Sequence, residues 1–282
     1  MNADANPDAD SETNARPYRL AEMTWEEVEA AVGDRRTMLL PVGSTEQHGR
    51  HLPLGVDVFM PEAIAERVAE RSPALLAPPV WYGVSPHHAF KPGTFTVGTE
   101  TFQRYVTDVC ASAAEWGVER VLLLNGHYLA QDPELEIVVR RLRTEYGVEA
   151  FHVPLVELFA DVAAEIRTGE VSFHASEFET SIMLELLPEL VHADRAEAVD
   201  PPEESLPLTD YDALGDNRVG WALTAEDMAE LTAAGNVGDP TAATREKGSA
   251  LVDAAVERIR LLVDALEAEG GSDGDGGDDT AR

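Results

Sequence analysis

Met38-Leu39-Leu40-Pro41-Val42-Gly43-Ser44-Thr45-Glu46-Gln47-His48-Gly49-Arg50-His51-Leu52-Pro53-Leu54-Gly55-Val56-Asp57 sets the architecture of this chain. Its first five residues are apolar, too few for a helix, and read with Thr37 as a buried strand over 37–42. A glycine-rich turn follows, and then a helix is expected near Val58–Arg71. Strand, turn and helix in that order form the building unit of a parallel α/β protein. Ligands bind such proteins in the crevice beyond the carboxyl ends of the strands. Glu46, His48 and Asp57 lie there, and all three are metal-ligand types.

The alternation continues outward from this unit. A strand at Ala74–Ala77 is followed by a long loop, a helix at Thr101–Trp116 and a strand at Arg120–Leu124. A helix at Pro133–Tyr146, a strand at Glu149–Val153 and helices at Leu155–Thr168 and Ser176–Leu187 complete the pattern. This predicts a largely parallel sheet with helices on both faces. Residues 200–240 are rich in Pro, Asp, Glu and Gly, and read as a loop-rich excursion with one short helix near Ala225–Ala234. A last helix, Thr244–Leu266, carries one apolar stripe through Leu251, Ala255, Ile259 and Val263. Residues 18–268 are therefore expected to form one domain. The polar stretch 1–17 and the Gly- and acid-rich stretch 269–282 are expected to be disordered tails.

Composition narrows the function classes. The formal net charge is −32, from 53 acids against 21 bases, and only Lys91 and Lys247 are lysines. No basic stripe exists to neutralise phosphates, so a nucleic-acid partner is not expected. The charge is spread along the whole chain. That fits a surface solvated in a high-salt, haloarchaeal cytoplasm, where screening removes most of the self-repulsion. No apolar run approaches the roughly 18–20 residues needed to span a bilayer, and the polar, acidic stretch Met1 to Arg16 has no apolar h-region, so no secretory signal is expected. A cytoplasmic protein without a membrane partner is expected. Cys110 is the single cysteine, which excludes a disulfide framework and a Cys-rich zinc site.

Two further clusters follow predicted strands. Asn125-Gly126-His127-Tyr128 comes after the strand at 120–124, on the same sheet edge as Glu46 and His48. His174-Ala175-Ser176-Glu177-Phe178-Glu179 opens a helix, where Ser176 and Glu179 also have capping-box spacing. Asp57 has a structural alternative of its own, as a helix cap. Glu46, His48, Asp57, His127 and one of Glu177 or Glu179 are five O/N donors, a set that suits two divalent metals bridged by a carboxylate.

These motifs resemble the creatininase (creatinine amidohydrolase) family. The resemblance is carried by Pro41 to Gly49 and His51-Leu52-Pro53 through Asp57, then Asn125-Gly126-His127, then His174-Ala175 with Glu179-Thr180-Ser181. Tyr82-Gly83-Val84-Ser85 and Pro92-Gly93-Thr94 add to it, and the match covers about residues 36–190. It implies a three-layer α/β/α sandwich and two divalent metal ions per subunit (Zn, Mn or Fe). It also implies hydrolysis of a non-peptide C–N bond by a hydroxide bridging those metals. Glu46, His48, Asp57 and His127 fall on the family's metal ligands, Asp57 in the bridging place. His174 falls on the proton-transferring histidine, and Ser85 and Tyr128 fall near the substrate. Many members are hexamers, so a homo-oligomer is expected.

The chain also departs from the pattern. Leu129 stands where creatininase has a glutamate, which moves the fifth ligand to Glu179 and leaves Glu177 beside His174 as a catalytic group. Phe173 replaces an acid before His174, and no tryptophan lies between Trp116 and Trp221. The expectation therefore moves from creatinine to another small amide. The alternatives are a formylaminopyrimidine-nucleotide deformylase of archaeal flavin or deazaflavin synthesis, with Arg50 as a phosphate contact, and a peptide-processing member. A different class of protein, a metal-binding assembly protein without catalysis, would follow from Leu129.

Overall fold

The computed structural model describes residues 16–201, 211–215 and 222–270. Thr37–Val42 (β1), Ala74–Leu76 (β2), Arg120–Asn125 (β3) and Glu149–Pro154 (β4) form one parallel sheet in the order β2-β1-β3-β4. Every residue of β1 and β3 is buried, as continuous apolar runs in a parallel sheet require. Val42 pairs with Asn125, and Asn125 with Pro154. The carboxyl ends of β1, β3 and β4 are therefore level, and the turns that leave β1 and β3 lie side by side.

The helices are Trp25–Val32 (α1), Val56–Ala69 (α2), Thr99–Glu115 (α3), Asp132–Arg141 (α4), Leu155–Ile166 (α5), Glu177–Leu186 (α6), Ala225–Leu231 (α7) and Arg245–Gly270 (α8). Strand side chains alternate between faces and so divide the core in two. Leu39, Leu76, Leu122, Leu124 and Val153 pack against α2, α5, α6 and α8 through Ile64, Phe159, Ile182 and Val256. Met38, Leu40, Val42, Val121 and Leu123 pack against α3 and α4 through Phe102, Val106, Cys110 and Val138. The result is a three-layer α/β/α sandwich, with Cys110 serving as a core residue.

The structure departs from the expectations in several places. α1 was not anticipated, although Thr24 and Glu27 form a reciprocal capping box at its start. The helix expected over 133–146 is α-helical to Arg141, then makes a π turn over Leu142–Tyr146 that ends at Gly147 with φ 69°. The described part of the 200–240 excursion contributes α7 and a short strand, Val237–Gly238, which pairs antiparallel with Ser172–His174. With Ser172–His174 as β5 and Val237–Gly238 as β6, the excursion braces the segment that carries His174. At the two ends of the described chain, α8 continues to Gly270, and Arg16 pairs with Glu22 and Glu66. Residues 1–15 and 271–282 lie outside the described residues. No described helix is long and apolar enough to cross a membrane.

Candidate metal centre

The chain leaves β1 at Gly43 and β3 at Gly126, and the first turn of α2 passes between them. A Cβ at Gly43 would lie 2.3 Å from the backbone oxygen of Asp57, and one at Gly126 only 2.1 Å. The absence of a side chain at both positions lets the helix start press against the strand ends. Asp57 is thereby placed in the first turn of α2 with its carboxylate buried. It is not the helix cap: Gly55 holds that position. The loop after β1 is fixed by Glu46 N–H donating to the Leu54 carbonyl and Gln47 N–H donating to Thr94 Oγ1. The second contact explains what Pro92-Gly93-Thr94 does: it braces the loop that carries Glu46 and His48.

Glu46, His48, Asp57, His127, His174 and Glu179 converge at this edge. Asp57 stands in the middle, with Oδ1 3.0 Å from His48 Nε2 and Oδ2 3.1 Å from His127 Nδ1. Glu46 Oε2 lies 3.3 Å from His127 Nε2, and Glu179 Oε1 lies 3.8 Å from His48 Nε2. Three overlapping groups result, each with ligand atoms within 4.8 Å of one another: Glu46, Asp57 and His127; His48, His174 and Glu179; and Glu46, His88 and His174. Asp57 belongs to the first and its Oδ1 touches His48 of the second. Glu46 and Asp57 are 0% and 1% exposed, yet both Glu46 oxygens and Asp57 Oδ2 lack an aligned hydrogen bond. Buried carboxylate oxygens without partners are costly. A divalent cation among these N and O donors would satisfy them, so the residues fit a metal centre.

The electrostatics agree. Burial pushes the Glu46 carboxyl up to about 7, with Asp57 adding to the shift. Burial also works against charge on His127, but the Glu46 and Asp57 carboxylates hold it at about 9. Burial opposes ionisation of Asp57, but the imidazoles of His48 and His127 keep it well below the usual carboxylate range. His174 differs: burial, reinforced by the charge on His48, lowers it to about 3.

The remaining sequence candidates separate. Tyr128 lines a 620 Å³ cavity that opens onto Glu46, Asp57, His127, His174 and Glu179. Ser85 does not line it: it is fully buried behind the wall, and its hydroxyl makes no aligned hydrogen bond among the described residues. Glu177 is also absent from the cluster. Its carboxylate accepts from the backbone N–H groups of Thr168 and Gly169 and pairs with Lys247. Residues 177 and 179 are about 200° apart around a helix, so only one of them can face the site. The capping box at this helix is also not formed: Ser176 bonds Ser172 Oγ, and Glu179 accepts from Ala175 N–H instead. Arg50 lies outside the cavity, paired with Glu197.

Two histidines were missed. His87 lines the cavity. His88 is 2% exposed, with Nε2 3.3 Å from Glu46 Oε1 and its ring stacked 3.9 Å from that of His174. They lie in a single 3-10 turn, Pro86–His88, far from any strand end, so only the His doublet beside Ser85 could have signalled them.

A family model described as creatinine amidohydrolase matches residues 21–263. Creatinine amidohydrolase of Pseudomonas putida is 33% identical over 89% of this chain and 96% of its own length. The 3-dehydro-scyllo-inosose hydrolase of Thermotoga maritima is 31% identical over 86% of this chain and 81% of its own. Mycofactocin precursor peptide peptidase of Mycobacterium ulcerans is 33% identical over 79% and 84% respectively. Among solved structures, a manganese form of creatininase superposes with a TM-score of 0.70 at 31% identity, over 89% of this chain and 98% of that one. A zinc–zinc form also gives 0.70, at 30% identity and the same coverage. The chain belongs to the creatininase family of hydrolases.

Proposed function

We propose that the protein is a metal-dependent amidohydrolase that cleaves the C–N bond of a small, uncharged amide at a two-cation centre. The central position of Asp57, one oxygen toward His48 and the other toward His127, carries this reading. Glu46, Asp57 and His127 would hold one cation, and His48, Asp57 and Glu179 the other. Divalent cations bound there would lower the pKa of a water and polarise the amide carbonyl. Zinc and manganese both suit these O/N donors.

His174 supplies the proton chemistry. Its Nε2 lies 2.8 Å from the Gln47 carbonyl oxygen, which can only accept, and 3.1 Å from the Gln47 amide nitrogen, whose two protons go to His88 and the Gly235 carbonyl at 2.9 Å, so Nε2 carries the proton. Nδ1 is left with the lone pair, on the side of Glu46. Burial keeps the ring neutral at pH 7. The lone pair on Nδ1 would take a proton from the attacking water and return it to the leaving nitrogen. Ala175, next in the chain, sits in the left-handed region at φ 46°. Its N–H donates to Glu179, which ties the position of one cation ligand to that of the base.

The cavity wall bears on the substrate. Tyr128, Leu129, Phe173, Phe178 and Leu223 give it a largely apolar surface. Among the described residues, no Lys or Arg lines it. A nucleotide phosphate therefore has no described cation to meet, which weighs against the deformylase. The open cavity beside His174 weighs against a purely assembling protein. Incubating Mn²⁺- or Zn²⁺-loaded protein with a panel of cyclic and linear amides, and assaying ammonia, amine and formate, tests the reading. Amine or ring-opened product without formate supports it. Formate release points to the deformylase, and no turnover of any amide contradicts it.

A further inference from the structure

We propose that His88 is a positioning residue, a neutral imidazole that presents its Nε2 proton to Glu46 and so orients that carboxylate for its cation. This inference rests on Glu46 being a cation ligand and adds a residue to the machinery.

The tautomer follows from a chain of contacts that begins at Gln47. The Gln47 side-chain oxygen accepts from Gly49 N–H at 3.1 Å, and its nitrogen donates to the Gly235 carbonyl at 2.9 Å. Together these two contacts fix which end of the amide is nitrogen. The same nitrogen lies 2.9 Å from His88 Nδ1. An amide nitrogen can only donate, so Nδ1 of His88 accepts and its proton sits on Nε2. That Nε2 is 3.3 Å from Glu46 Oε1, close but not aligned as a hydrogen bond, so a small shift of the carboxylate onto a cation would complete it. The other Glu46 oxygen faces His127. Glu46 thus has one oxygen facing His127 and the other facing the protonated edge of His88, with His174 Nδ1 3.9 Å from that second oxygen. This is the arrangement in which a second layer of hydrogen bonds orients a metal-binding carboxylate.

The same imidazole reaches the proton-transferring group. Its ring lies 3.9 Å from that of His174, with planes 24° apart. Gln47 lies against both rings: its side-chain nitrogen is 2.9 Å from His88 Nδ1 and 3.1 Å from His174 Nε2, and its backbone carbonyl accepts from His174. The return of the excursion at Gly235 anchors Gln47 in turn. A Cβ at Gly235 would lie 2.0 Å from the Gln47 side-chain oxygen, and φ there is +100°.

The experiment compares His88→Met, which keeps bulk and loses the donor, with His88→Gln, whose amide nitrogen can replace Nε2. Metal-free proteins are titrated with Zn²⁺ and with Mn²⁺ against a chromophoric chelator, and folding is checked by circular dichroism. The expectation for His88→Met is weakening of one of two binding steps by about 10–100-fold. The other step should stay unchanged, and His88→Gln should lie near the wild type. Unchanged affinities in His88→Met overturn the inference, as does equal loss in His88→Gln, which would assign the effect to packing. A wild-type protein that binds no divalent ion overturns the underlying metal reading as well. Should His88→Met not fold, His88→Asn replaces it, because its amide reaches Gln47 but is too short for Glu46.

Discussion

Gly126 faces Asp57 so closely that a methyl group at position 126 would lie 2.1 Å from the Asp57 backbone oxygen. The motif residues of the two strand ends are thus coupled through packing: the glycine after β3 sets the position of the carboxylate in α2. Gly126→Ala should force the two apart. The expected cost is about 1–3 kcal/mol of stability, as for other overpacked sites, together with weakened metal binding. Urea unfolding and metal titration of the variant check both.

His51 gives a pH dependence with a defined sign. Burial lowers it to about 4, and its Nε2 pairs with Thr180 Oγ1. The folded state disfavours its protonation relative to the unfolded chain, where the pKa is about 6.5. The unfolded state therefore binds more protons between about pH 6.5 and 4, and stability falls as pH drops through that window. His51→Asn should flatten the slope there while shifting the whole curve by a constant. Denaturant unfolding at stepped pH measures it, and equal slopes in both proteins would exclude His51 as the cause.

The charge of −32 leads to a third prediction. Self-repulsion among exposed carboxylates is long-ranged at low salt and largely screened within about 3 Å at 1 M. Circular dichroism should show loss of structure in dilute buffer and recovery in molar KCl. A chain equally folded in both would count against adaptation to high salt.

Much of this arrangement was legible in the sequence, and the reasons are local. β1 and β3 are unbroken apolar runs, and α3 and α8 carry clear periodic stripes, so their types and order could be read directly. Glu46, His48 and His127 could be placed because each follows a buried strand by a few residues. What could not be read depends on distant partners. Helix geometry lets only one of Glu177 and Glu179 face the site, and the one that faces away is marked by its pairing with Lys247, 70 residues from Glu177. Ser85 was turned from the cavity by the fold of its loop. His88 meets Gln47 across 41 residues of chain, with no strand end to mark it. β5 and β6 are too short to leave a periodic signal.

Leu129 provides a test of the departures. It has φ 61° and is 46% exposed, and its N–H donates to Asp132. A glycine adopts that conformation without strain. Leu129→Gly should therefore leave stability within about 1 kcal/mol of the wild type and leave metal content intact, since Leu129 offers no ligand atom. Differential scanning calorimetry and metal analysis are the readouts. A loss of metal would show that the Leu129 side chain supports the site after all.

The central claim is that Asp57 is shared by two cations. Metal content by inductively coupled plasma mass spectrometry, on wild type and Asp57→Ala purified in parallel, addresses it most directly. Two divalent ions per chain in the wild type, with at least one lost from the variant along with nearly all amide hydrolysis, is the predicted result. Unchanged metal content in Asp57→Ala would contradict the shared position of this carboxylate.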